Sequence, residues 1–181
     1  RLLYIDMAVV TPDGMAHYIL DEETVDLGER DYLKEAFEGK ANISDVLISK
    51  ATNQAVVMYA APIQVDGKVI GVLIGRKDGA ALNQITNQMG FGDKGYAYIM
   101  GADGTLYAHP EKENVMKQRN VLKDIETDGE FKNWGLAIKD LGVGNEGIIK
   151  YELAGTKRYF GIVPVPSTGW LVGVGAYESD V

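Results

Sequence analysis

The chain has 181 residues, with 18 Lys and Arg against 26 Asp and Glu for a formal charge of −8, 22 glycines and 46% hydrophobic residues, which excludes a disordered or fibrous chain. This acidity argues against nucleic acid as a partner, because phosphate backbones are held by clustered cations, so an anionic ligand needs a local positive site. Without cysteine there is no disulfide framework, thiolate nucleophile or Cys-bearing zinc site, and no stretch approaches the roughly 20 apolar residues that span a bilayer.

From the start, the apolar, β-branched run Leu2 to Val10 stops at the turn signal Thr11-Pro12-Asp13-Gly14 and resumes from Met15 to Leu20, a hairpin. A start in a strand-like run with no Met suggests a fragment of a longer protein. Glu29 to Glu38 places Tyr32, Leu33, Ala36 and Phe37 on one helical face, with Gly39 to close it. Val56 to Ile63, a turn at Asp66-Gly67 and Lys68 to Gly75 form a second hairpin, and Ala80 to Met89 a helix leading onward.

The same order returns in the second half. Tyr96 to Met100 turns at Asp103-Gly104 into Thr105 to Ala108, Glu130 to Leu141 reads as a helix, and Tyr159 to Val165 turns at Ser167-Thr168-Gly169 into Trp170 to Gly175. Repeated order of hairpin, helix and hairpin argues for two α+β modules, each an antiparallel sheet with helices, with a boundary near Gly90 to Gly95.

Few residues carry chemistry. Gly142 to Gly147 matches GxGxxG, but it follows a helix and precedes the strand-like Ile148 to Leu153, the reverse of a dinucleotide fingerprint, and reads as a plain turn. His17 and His109 have no neighbouring acid or nucleophile and no metal-ligand spacing; no catalytic residue, metal or cofactor is expected. Glu111 and Glu113 lie in a turn-like polar segment and read as solvated surface. In Asp26 to Ala36, Arg30 puts a guanidinium at the start of the short helix, where it either holds a carboxylate together with the helix N–H groups or pairs on the surface with Asp31 or Glu35.

In order and spacing, Asp13-Gly14, Arg30 to Ala36, Ile43-Ser44-Asp45, Ala60 to Ile63, Gly71-Val72-Leu73, Gly95 to Tyr98, Asp103-Gly104, Ala108-His109-Pro110 and Pro166 to Trp170 resemble the double Cache sensory domains of bacterial and archaeal chemoreceptors, histidine kinases and diguanylate cyclases. The resemblance implies an α+β fold of two tandem PAS-like modules, residues 1–88 membrane-distal and ligand-binding and residues 89–181 membrane-proximal and relaying the change. It also implies an extracytoplasmic location, a long N-terminal helix absent from this fragment that would make a homodimer, and a membrane anchor through flanking transmembrane helices.

In the amino-acid-binding branch that the sequence resembles, an Arg and an aromatic pair hold the ligand carboxylate, and a Tyr and two Asp complete the site. Arg30 and Tyr32 match, whereas Leu33 does not; Leu47 and Ser49 stand where Tyr and Asp are expected, and Arg76 stands where an ammonium-binding Asp would be. Met58, Tyr59 and Ile74 complete the expected lining, and Asp78, sharing the strand face of Arg76, is an alternative acid. Two arginines facing one cavity point to a small organic acid without an amine; an amino acid or amine held by Asp78, or a ligand-free dimerisation module, is the alternative. The second half lacks an equivalent Arg–aromatic helix and is expected to hold no ligand.

Overall fold

The computed structural model describes residues 4–20 and 22–180, so Leu2 and Leu3, at the head of the first expected strand, lie outside the described residues. The chain divides into two compact units, Arg1–Gly79 and Ala80–Val181.

The first unit runs β1 (Asp6–Val10), β2 (Met15–Tyr18), β3 (Thr24–Asp26), α1 (Asp31–Phe37), β4 (Asn42–Ile43), β5 (Leu47–Ile48), β6 (Ala55–Val65) and β7 (Lys68–Asp78). These strands form one antiparallel sheet in the order β3-β2-β1-β7-β6-β4, with β5 also paired to β6. Residues of one parity point to one face of a strand, so Ala8, Val10, Ala16, Tyr18, Val56, Met58, Ala60, Val72 and Ile74 share a buried face. On that face α1 lays down Tyr32, Leu33 and Ala36. The expected turns hold: Asp66 (φ 50°) and Gly67 (φ 77°) both take positive φ, as a two-residue hairpin loop requires. Gly14 is needed at its own turn, since a Cβ there would lie 2.6 Å from the Cα of Gly28.

The second unit runs α2 (Ala80–Thr86), β8 (Tyr96–Met100), β9 (Leu106–Ala108), α3 (Lys112–Met116), α4 (Lys123–Thr127), α5 (Lys132–Leu141), β10 (Gly147–Leu153), β11 (Thr156–Pro164) and β12 (Leu171–Tyr177). Its antiparallel sheet is ordered β10-β11-β12-β8-β9. The core gathers Tyr98, Trp134, Tyr151 and Phe160, with Trp134 stacked on Tyr151 and its indole Nε1–H donating to the Tyr98 hydroxyl at 3.1 Å. The GxGxxG segment is a helix-to-strand turn in which Gly142 and Gly144 take positive φ between α5 and β10.

Two sequence expectations need correction. The helix from Ala80, expected to close the first unit near residue 88, groups with the second: it packs on β8 and β9, and its buried Asn83 accepts the His109 backbone N–H at 3.1 Å. The segment around Glu111 and Glu113, read as turn-like, is the short helix α3, supported by Glu113 paired to Lys117 at 2.7 Å one turn on.

Candidate ligand-binding site

Arg30 sits immediately before α1 with an extended backbone (φ −77°, ψ 125°), and its carbonyl accepts the N–H groups of Leu33 and Lys34, closing the first turn. The helix is only seven residues long, so the positive character of the site rests on the guanidinium rather than on a helix dipole. That guanidinium is half-buried. Its Nη2 donates to the Ile48 carbonyl at 3.3 Å, while its Nε is buried with no hydrogen-bond partner in the protein. The surface pairing with Asp31 does not form; Asp31 is 3.3 Å from Lys34 instead.

Arg30, Tyr32 and Leu47 line one cleft of about 410 Å³ together with Glu29, Asp31, Glu35 and Asp45. Burial raises the phenol pKa of Tyr32 and of Tyr18 above the ordinary value, so both hydroxyls are neutral donors at physiological pH.

Arg76 is 1% exposed and lies in the core rather than on that cleft. Its Nη1 donates to the Ser49 hydroxyl at 3.5 Å, its guanidinium lies 4.8 Å over the Tyr18 ring, and Nη2 is 3.8 Å from Asp6 Oδ2. Consecutive residues, Ile48 and Ser49, therefore hold the two guanidinium groups from one short segment. Asp6 changes the charge balance inferred from sequence. Asp6 offsets the charge of Arg76 in the core, so Arg30 is the cation that lines the cleft, and Asp6 Oδ2 is itself buried without a hydrogen bond.

The other expected residues divide by strand parity. Met58 is the register partner of Arg76 and is buried beside it, and Ile74 is fully buried two residues before Arg76 on the same face. Asp78 shares that parity but is exposed at the end of β7 opposite Val56. Tyr59 is on the opposite face, edge-on to Tyr4 at 5.8 Å with the Lys77 ammonium 5.4 Å above its ring, and does not line that cleft.

Sequence reasoning missed Asp6 and Tyr18. Their signal was present as periodicity: Asp6, Ala8 and Val10 alternate onto the core face, so the lone acid of an apolar run falls at a buried position. Among the described residues no group of three or more His, Asp or Glu could hold a metal ion, and no helix is long and apolar enough to cross a membrane.

The fold and sequence have clear relatives. The methyl-accepting chemotaxis protein PctB of Pseudomonas aeruginosa is 27% identical over 75% of this chain, and McpA of Bacillus subtilis is 26% identical over 84%. The chain spans about a fifth of the length of these relatives, 20% and 21%. Among solved structures, the ligand-binding domain of Mlp24 with asparagine superposes with a TM-score of 0.73 at 21% identity, covering 97% of this chain and 69% of that one. The ligand-binding domain of the Pseudomonas aeruginosa amino acid chemoreceptor PctB with L-Arg gives 0.72 at 22% identity, covering 97% and 72%. At these identities the structural likeness establishes the fold. The model of the Cache domain, dCache_1, matches residues 3–181, and the chain belongs to that family.

Proposed function

We propose that this chain is the extracytoplasmic, non-enzymatic sensory domain of a transmembrane receptor, and that its first unit, the membrane-distal one, binds a small carboxylate-bearing ligand. The observation that carries the reading is Arg30: a half-buried guanidinium at the edge of a 410 Å³ cleft, with its Nε buried and unmatched and its one hydrogen bond spent on a backbone carbonyl. A carboxylate supplies what that group lacks, two acceptor oxygens and a negative charge. Tyr32 and Leu47 give the cleft an amphipathic wall for the rest of a small molecule. Binding shifts the population toward a closed first unit, by as much as the ligand prefers that state. The second unit relays the change, and in the full receptor a homodimer anchored by flanking transmembrane segments carries it to an output domain.

A second reading, an α-amino-acid ligand, has its own support. Asp6 Oδ2 is a buried acceptor without a hydrogen bond, and the related domains of Mlp24 and PctB were solved with amino acids. Against it, Arg76 stands 3.8 Å from that oxygen and repels an ammonium brought to it. Calorimetric titration with L-alanine and with its amine-free counterparts lactate and propionate separates the two. Tighter binding of lactate or propionate supports the organic-acid reading; tighter binding of L-alanine, weakened at least tenfold in Asp6→Asn, supports the amino-acid reading.

A further inference from the structure

We propose that the second unit holds a binding site of its own for a small monocarboxylate, built from Tyr96, His109, Tyr151 and Arg158. On the core face of its sheet, Tyr151 is the register partner of Arg158, and Arg158 of Tyr177. Tyr96 stands opposite Gly175, and because that position carries no side chain its ring reaches Phe160, 4.9 Å between centroids. His109 closes the group, edge-on to Tyr96 at 5.7 Å.

What these residues share is donors without acceptors. Arg158 Nη1 donates to the Tyr96 hydroxyl at 2.7 Å, and its guanidinium lies 4.9 Å over the Tyr177 ring. Its Nε is buried without a hydrogen-bond partner. Neither neighbouring carboxylate meets it: Glu178 binds Lys157 and the Tyr159 hydroxyl, and Glu111 accepts from Asn114 at 3.1 Å. His109 is 5% exposed, and its Nδ1 accepts the Glu111 backbone N–H at 3.1 Å, which leaves the proton of the neutral ring on Nε2; that nitrogen is buried and has no partner. Burial holds His109 below the usual imidazole pKa and Tyr96 and Tyr151 above the usual phenol pKa, so all three present neutral N–H or O–H groups. The Tyr151 hydroxyl, on a residue 6% exposed, lies beside that of Tyr96.

Buried polar groups in folded proteins are normally satisfied, and the unmatched Nε of Arg158, with the unmatched His109 Nε2 and Tyr151 hydroxyl on neighbouring residues, calls for an acceptor. The charge of Arg158 makes that acceptor an anion, and the surrounding rings of Tyr96, Phe160 and Tyr177 favour one with an apolar end, a carboxylate rather than a halide or sulfate. Tyr151 and Arg158 also border a surface hollow of about 360 Å³ whose lining includes Lys150 and Lys157 together with Glu152 and Glu178. No Arg–aromatic helix is involved: the donors come from strands and from the residue after β9, so no local motif marks a site in this half.

The test uses acetate as probe in the Arg30→Ala background, where the first unit's anchor is removed. Thermal unfolding is followed with sodium acetate, chloride and sulfate at matched ionic strength. The expected result is a saturable stabilisation specific to acetate that persists in Arg30→Ala, is lost when Arg158→Met is added, and needs about tenfold more acetate with Tyr151→Phe, which keeps the ring and removes the hydroxyl. Should Arg158→Met unfold the unit, Tyr151→Phe decides alone. The proposal is overturned if acetate acts no differently from chloride and sulfate, if its effect disappears with Arg30→Ala, or if Tyr151→Phe responds as the background does.

Discussion

Asp6 and Arg76 face each other across β1 and β7 as register partners, with Oδ2 and Nη2 3.8 Å apart and side chains 2% and 1% exposed. A buried arginine is held by a carboxylate one strand away, with backbone N–H groups of Met7 and Leu20 donating to the same carboxylate at 2.6 and 3.2 Å. Removing one partner of such a pair strands the other charge in the core. Asp6→Asn is therefore expected to lower stability by about 3 kcal/mol. Asp6→Leu combined with Arg76→Met should recover most of the loss. Urea denaturation checks both; an unchanged midpoint for Asp6→Asn contradicts the pairing.

Strand parity makes a separate prediction. Tyr59 lies on the sheet face away from the cleft and Leu47 lines it, so Tyr59→Leu should leave ligand affinity within about threefold, whereas Leu47→Ala should weaken it about tenfold, roughly 1.4 kcal/mol. Titration of both variants with lactate, propionate and L-alanine measures this. A larger effect at Tyr59 than at Leu47 places the ligand on the wrong face.

Burial lowers the His109 pKa from the ordinary 6.5, with the nearby Glu111 charge opposing. Below about pH 6.5 the unfolded chain takes up a proton that the folded chain refuses. The stability tied to neutral His109 is thus complete above that pH and is lost as pH falls through the lower folded value. Thermal unfolding between pH 7.5 and 5.5 should show a larger loss in the wild type than in His109→Gln; equal losses contradict the assignment.

The hairpins and α1 were legible in the sequence because their signals are local: alternation, Asp-Gly turns, and the helical spacing of Tyr32, Leu33 and Ala36. Arg30 stood out because it precedes a short amphipathic helix, but the residues alone left open whether it holds a carboxylate or pairs with Asp31 or Glu35. The partner of Arg76 was not, because Asp6 and Arg76 are brought together by the β1–β7 pairing, 70 positions apart in the chain, and pairing order is not a local property. The allegiance of α2 was hidden for the same reason: the packing of Ala80–Thr86 on β8 and β9 decides it, and no helix signal encodes a packing partner. The donor cluster around Arg158 is likewise spread over β8, the residue after β9, β10 and β11.

The claim that Arg30 anchors the ligand through its carboxylate is tested most directly by isothermal titration of wild type and Arg30→Ala with lactate, propionate and L-alanine, with circular dichroism to verify the fold. The expected result is saturable binding of at least one of the three to the wild type and at least a hundredfold weakening in Arg30→Ala, about 2.7 kcal/mol. A folded Arg30→Ala protein that binds the same compound within threefold of wild type contradicts the assignment and makes Arg30 a surface residue.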